Sequence, residues 1–584
     1  MDKTRNLRTF LILASLAMTG TLTACGGGSS STDLTTTTSD SSSIATTGST
    51  GTTGGAATGG VALPSGGTTP AAGGTGITTS PATSTTVSTA PAAASMALTA
   101  CQASGKGTDY QVGPGKSYTT LDAVPWESLK AGDTVRIFYS STPYKGKFLL
   151  AAQGTPDAPV RICGVRGPNN ERPMIDGNGA ITRKALAGLY GSSVLVSGRT
   201  VSDIHQARSI IVIKPLATEA YQAYPRHIQI DGLNITRAHP NYSFTDASGA
   251  TKKYDSFGAA IWIDRGQHIT IADNEISDSQ MAIFSKSTDD GDFAVTKDIR
   301  IAGNYMWGHG ITGDVHMHTT YTQSVGIVME FNRYGALRSG ADGNSIKDRS
   351  AGTVVRYNRI EDGAHAIDLV ESEDFPTTAT ALASYRSTFV YGNLISKNGE
   401  LGSFIHYGGD HYGSTPGATW GEPIFRKGTL YFFNNTIYAT GTYAWIFQLA
   451  TTEEKAEVWN NVFVFASTVA EKNLRMTSEI SGAWTPGGIV NLGRNWASTG
   501  WQDSDQYHPV PGQLNGTANL ISGATSPLDM TTFVPLAGSA VIDAGVAGPG
   551  AASSYGVTYQ VNAQGVPASR SVRGSAIDLG AIER

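Results

Sequence analysis

Residues 326–360 read GIVMEFNRYGALRSGADGNSIKDRSAGTVVRYNRI. Two hydrophobic runs, Gly326 to Asn332 and Thr353 to Asn358, each end in an asparagine, and the two asparagines stand 26 residues apart. The same signature recurs as HITIADNEI (268–276), DIRIAGNYM (298–306), TFVYGNLI (388–395), TLYFFNNTI (429–437) and EVWNNVF (457–463). The repeated asparagines are Asn274, Asn304, Asn332, Asn358, Asn393, Asn435 and Asn461, with gaps of 30, 28, 26, 35, 42 and 26. The shortest gaps fit one coil of a stacked solenoid, and the longer ones imply loops inserted on one side. Asparagine suits the bend between strands because it tolerates left-handed backbone and its amide can bond the equivalent residue one coil away. Alternation within each run sends Ile and Val inward and polar residues outward.

Register follows by subtraction. Tyr321 precedes Asn332 by 11 residues, and Lys347 precedes Asn358 by 11. They should therefore stack about 4.8 Å apart, one coil spacing. Ile346 points inward, so Lys347 and Arg349 point outward. Asp368, flanked by Ile367 and Leu369, lies 21 residues after Lys347 and shares its face. The expected outward column is Tyr321, Lys347, Asp368, with His318 and Arg349 beside it and Lys286 as an extension one coil earlier. Asp348 turns inward or into the bend, where it pairs with Arg349 or caps the turn.

The ends of the chain differ from this body. Lys3, Arg5 and Arg8 precede a short apolar run that is too brief to span a bilayer and has the order of an export signal. It closes on Leu22-Thr23-Ala24-Cys25, which resembles a bacterial lipobox. That resemblance implies a signal peptide over 1–25, lipidation at Cys25 and an outer-membrane lipoprotein. Residues 26–98 are Gly, Ser, Thr, Ala and Pro with almost no large apolar side chain, the composition of a disordered tether spanning roughly 45–50 Å. The folded domain is expected over 99–584. A short helix over Thr120–Leu129, burying Leu121, Val124 and Leu129, is expected to cap its open end. Cys101 and Cys163 remain once Cys25 carries lipid, and in an exported chain such a pair is expected to be a disulfide. A net charge of −5 and the lack of basic runs argue against a nucleic-acid partner. A monomer is expected.

The repeats resemble the right-handed parallel β-helix superfamily of pectate-lyase-like proteins, which implies an all-β, single-stranded right-handed solenoid over about residues 105–584. Val541 to Gly545 and Asp578 to Glu583 look like the closing turns of bacterial members. HTTYTQ, IKDRSAG and RYNRIEDGAHAIDLVE resemble a bacterial polysaccharide-degrading group related in style to alginate and chondroitin lyases of the β-helix type. The resemblance implies an acidic polysaccharide as partner and β-elimination as chemistry. Such a reaction needs a base, a neutraliser for the carboxylate and a proton donor to the leaving oxygen. Lys347, with its pKa lowered near Arg349, is the expected base, Arg349 the carboxylate grip, and Tyr321 or His318 base or acid. In similar lyases Ca²⁺ often neutralises. Asp342 and Asn344 occupy the zone where ligands are expected, but the glutamates of that pattern are missing. The acidic loop Asp289, Asp290 and Asp292 is a second calcium candidate.

Glu371 is expected to meet substrate or to pair with a cation. FIHYGGDHYGSTPGATWGEP (404–423) carries His406, Tyr407, Asp410, His411, Tyr412 and Trp420, residue types that form a wall for sugar rings. Each of these features has a structural counterpart. A Lys-Asp-Arg run is also a solvated ion-pair ladder, and a histidine in a solenoid is more often a stacking residue. Three other functions therefore stand beside the lyase: a glycoside hydrolase built on paired carboxylates, a uronate epimerase, and a non-catalytic surface glycan-binding or adhesion protein.

Overall fold

A computed structural model describes residues 99–410, 422–451, 453–477, 488–503 and 513–584. Cys25, the 26–98 segment, His411, Tyr412 and Trp420 lie outside the described residues.

Each coil visits three parallel sheets in turn. One coil runs Val325–Glu330 in sheet I, Arg333–Tyr334 in sheet II and Ile346–Asp348 in sheet III, and the next begins at Ala351–Arg356. Among the described residues, sheet I has 13 strands, sheet II 11 and sheet III 14. Every coil-to-coil pairing is parallel, and only short hairpins are antiparallel. The fold is a parallel β-helix. Inward alternation fills it with aliphatic files: Ile269, Ile299 and Ile327 pair in register, as do Ile271, Ile301, Met329 and Val355. Each is buried, contributing about 1.5–3 kcal/mol.

The asparagine ladder is continuous through eight coils. Each Oδ1 from Asn304 to Asn495 accepts from the backbone N–H and the amide of the preceding asparagine at 2.8–3.1 Å. Asn495 adds a rung beyond the sequence repeats. Left-handed backbone falls one residue earlier than expected, at Asp273, Gly303, Phe331, Tyr357, Gly392, Asn434 and Asn460. The ladder asparagines themselves are needed for their amides.

The cap differs from a single helix. Two one-turn 3₁₀ segments, Leu121–Ala123 and Trp126–Ser128, flank Pro125. Proline lacks the N–H for a continuous helix and forces Val124 to be extended (ψ 133°). Leu121, Val124 and Leu129 are nevertheless buried, and Trp126 stacks on Phe148 with ring centroids 3.8 Å apart. Cys101 and Cys163, 62 positions apart in sequence, form a disulfide with Cα atoms 5.6 Å apart. In the loop-entropy account, closing such a loop is worth about 4 kcal/mol.

The C-terminal pieces do not close the last coil. Leu579 N–H donates to Val541 O and Asp543 N–H to Asp578 Oδ1, so the two pieces pair with each other. Gly580 N–H reaches Asn460 O, and Ala581 N–H reaches Thr436 Oγ1. The tail thus runs back along the outside of the solenoid. There Tyr555 stacks on Phe389 at 3.6 Å, next to the ring ladder Tyr391, Phe433 and Trp459.

Candidate functional site

Sheet III pairs Tyr321 with Lys347, Lys347 with Asp368, and Asp368 with His406. These side chains share the outward face, yet that face is covered rather than solvated. Lys347, Asp368, His406 and Arg349 are 5, 1, 4 and 2 % exposed. Alternation assigns a side to a residue, but loops decide whether that side meets water. Here Glu371 and Glu373, which follow Leu369, and Asp410, which follows Tyr407, cover the column.

Lys347 Nζ lies 2.9 Å from Asp368 Oδ2 and also pairs with Asp410. Arg349 sits two residues on. Its Nη2 meets Asp410 Oδ1 at 3.2 Å and Glu373 Oε2 at 3.5 Å. Its Nη1 donates to Glu371 O at 2.8 Å and lies 3.4 Å from Glu371 Oε2. Its Nε donates to the Tyr321 hydroxyl at 3.0 Å. Asp410 therefore bridges both cations and is held in place by its own N–H on Glu371 Oε2, 2.9 Å away. Asp368 also accepts from Asn344 Nδ2 at 2.7 Å and faces His406 Nδ1 at 2.8 Å.

The electrostatics overturn one expectation. Burial works to lower the Lys347 pKa, but the Asp368 and Asp410 carboxylates outweigh it and the value is raised. Lys347 is a fixed cation and not a base. For Asp368 burial acts upward, and Lys347 and His406 override it, so its carboxyl titrates below the usual range. Burial, then Lys347, hold His318 well below an ordinary imidazole. Asn344 N–H donates to His318 Nδ1 at 2.9 Å, which fixes the proton of the neutral ring on Nε2. Burial pushes the Tyr321 phenol up to about 12, against the opposing pull of Arg349. His318 and Tyr321 meet edge to face, 5.5 Å apart.

Other expected site residues fall elsewhere. Tyr407 faces inward and is fully buried in the aliphatic core, so it is no wall for sugars. Asp348 does turn inward and caps the turn, accepting from Ser350 N–H at 3.3 Å, but its ionic partner is Arg426 at 3.4 Å rather than Arg349, with Thr322 and Thr353 hydroxyls donating to it. The calcium candidates do not converge. Asp289 accepts from Thr377 and Thr378 N–H, Asp292 pairs with Lys297, and Asp290 faces Thr288. Asp342 is exposed, and Asn344 serves Asp368. No group of three His, Cys, Asp or Glu among the described residues has a metal-holding geometry. Lys286 occupies the Arg349 file, and Phe284 takes the place below Tyr321.

Asp410, expected in a wall for sugar rings, instead lies just past the strand Ile405–Tyr407 and pairs with Lys347 and Arg349. One participant was not singled out in the sequence. His365, whose N–H donates to Asn344 Oδ1 at 2.9 Å, packs 4.9 Å from the His406 ring. Only its position three residues before Asp368 hinted at it. Burial, then His406, pull the His365 pKa down to about 3.

No family model matches the chain, and no curated protein sequence matches it. Among solved structures, it is similar to an alginate lyase from Paenibacillus sp. str. FPU-7, at 13 % identity over 63 % of this chain and 95 % of that one, with a TM-score of 0.35. It is similar to pectate lyase Pel9A at 12 % identity over 82 and 98 % of the two chains, TM-score 0.39. It is also similar to a GH136 lacto-N-biosidase from Eubacterium ramulus, at 11 % over 67 and 67 %, TM-score 0.31.

Proposed function

We propose that this protein degrades an acidic polysaccharide by β-elimination. One observation carries the reading: two buried cations, Lys347 and Arg349, converge with the Tyr321 phenol from two adjacent outward files of sheet III, and a carboxylate bridges them. Asp410 bridges these cations in the unliganded chain. A substrate uronate that took the place of Asp410 would have its negative charge neutralised, which acidifies the neighbouring C–H. Tyr321 is the proton carrier. Arg349 Nε–H on its oxygen opposes the upward push of burial, and the deprotonated fraction of the phenol removes the C5 proton. The C4–O bond then breaks, C4 and C5 become doubly bonded, and the phenol returns the proton to the leaving oxygen. His318, neutral with Nε2–H, is a donor to a substrate oxygen.

Hydrolysis is the second reading, favoured by four carboxylates in the cluster, Asp368, Glu371, Glu373 and Asp410. All four are tied to Lys347, Arg349 or a backbone N–H, and Glu373, paired with Arg349 at 3.5 Å, is the most open of them, at 26 %. The test is a panel of acidic polysaccharides with and without chelator. Absorbance of an unsaturated uronate should rise. New reducing ends without that absorbance would refute elimination and support hydrolysis.

We further propose that the solenoid is held at the outer membrane by lipid on Cys25 and the 26–98 tether. The full chain should fractionate with membranes and incorporate labelled fatty acid, and Cys25→Ser should do neither. Labelling of the serine variant would refute the anchor.

A further inference from the structure

Two residues beyond the Tyr321–Lys347 file, sheet III carries a second outward file: Lys214, Asp264, Lys286, Gln323 and Arg349. Three cations stand against one carboxylate. Lys214 is committed, since its Nζ donates to Tyr190 O at 2.7 Å. Asp264 lies between Lys214 and Lys286, and its carboxyl stays ionised. Burial acts to raise its pKa, but His205, Lys286 and Lys214 prevail and lower it. Lys286 is partly exposed, and its ammonium makes no hydrogen bond to any described residue. Gln323, one coil on, is anchored by Nε2 on Asp374 Oδ2 at 2.7 Å, which fixes which end of the amide is oxygen. Its Oε1 is buried and has no donor. A buried acceptor without a donor costs free energy until a hydroxyl or water fills it.

We propose that Lys286 and Gln323 form a second sugar subsite on this face of sheet III, Lys286 taking a uronate carboxylate and Gln323 Oε1 a sugar hydroxyl. The inference rests on the acidic-polysaccharide reading and adds direction and spacing to it. Lys286 and Arg349 are two coils apart, about 9.6 Å at the strand spacing. An extended 1,4-linked pyranose chain advances by about one coil thickness per sugar and turns over at each link. Carboxylates on alternate sugars then face the same side. A polyuronate lying along the solenoid axis would place one carboxylate on Arg349 and Lys347, and the carboxylate two sugars away on Lys286. A ligand of one or two sugars spans only the Arg349 end.

The test measures binding by calorimetry in a Tyr321→Phe background, so that turnover does not interfere, with tetramers and dimers of galacturonate and of mannuronate as probes. Lys286→Ala should weaken tetramer binding by about tenfold, the size expected for loss of one charge-assisted contact. Dimer affinity should not change, and Lys286→Arg should restore the tetramer. Melting temperature separates a merely structural role, which would move it and affect both lengths alike. Equal tetramer affinities in the Lys286 and Lys286→Ala proteins would overturn the subsite while leaving the elimination reading intact. If neither oligomer binds the Lys286 protein, the acidic-substrate reading falls and the subsite with it.

Discussion

Lys347→Met should lower kcat on the responsive polysaccharide by about 10²–10³-fold, the usual effect of deleting one preorganised group that stabilises developing charge. It should also destabilise the domain by about 3–5 kcal/mol, because removing one partner of a buried ion pair leaves the other uncompensated. Methionine nearly preserves volume, so the loss is electrostatic rather than a cavity. The pH dependence separates these effects. In the native protein, Asp368 titrates below its unfolded value because of Lys347 and His406, despite burial. Its contribution is therefore present above the unfolded carboxylate pKa and lost as pH falls through the folded one. In the variant, burial acts on Asp368 without the lysine, and the folded pKa rises. The variant should then regain stability on acidification as the carboxyl takes up a proton. The gap between the two proteins in urea denaturation should be narrower at pH 5 than at pH 7.5. A gap that widens on acidification would mean that Lys347 is not what holds Asp368 ionised. Unchanged turnover would remove Lys347 from the site altogether.

The contrast between Lys347 and Asp410 shows what a sequence of this kind reveals. The Tyr321–Lys347–Asp368 stacking was legible because coils share a phase, so equal offsets from Asn332 and Asn358 place residues in register. The charge state of Lys347 was not legible. It depends on Asp410, 63 residues away, which lies just past the strand Ile405–Tyr407 two coils on, beyond a coil whose length the repeats do not fix. The same limit applies to exposure. Alternation put Lys347 outward, but whether outward means wet depends on residues such as Glu371 and Asp410, which follow Leu369 and Tyr407. Local chemistry also misled at the bends. Asparagine has two relevant properties, tolerance of left-handed backbone and an amide that donates and accepts. The fold uses the second at Asn332 and Asn358 and imposes the first on Phe331 and Tyr357, which have φ of 59° and 57°. Stacking of those two rings, 5.4 Å apart and 15° from parallel, accompanies the strained backbone. At the cap, apolar spacing correctly identified the buried face, and Pro125 decided that no continuous helix could carry it.

Asn358→Ala should be among the most destabilising single changes in the solenoid, at about 4–5 kcal/mol. Asn358 Nδ2 donates to Met329 O at 2.9 Å, Arg356 O at 3.0 Å and Asn393 Oδ1 at 2.9 Å. Its Oδ1 accepts from Asn332 N–H and Asn332 Nδ2, both at 3.0 Å. The residue is fully buried. Alanine leaves the Asn332 backbone N–H and the Met329 carbonyl without their partners in a space that excludes water, at about 1–3 kcal/mol for each unsatisfied group. Because coils interact chiefly with their neighbours, the damage should be local. Hydrogen exchange should accelerate most at Asn332 and at the strands on either side, while distant coils keep their protection. Asn358→Asp is the sharper probe. A carboxylate keeps the Oδ1 acceptor but sets a second, charged acceptor against Met329 O, Arg356 O and Asn393 Oδ1. It should be worse than alanine at pH 7. Burial without a cation raises the folded pKa of such a group above its unfolded value, so the contribution returns as pH falls and the protonated acid donates again. If aspartate matches asparagine at neutral pH, or if alanine costs less than about 1 kcal/mol, the ladder follows from coil stacking and does not sustain it.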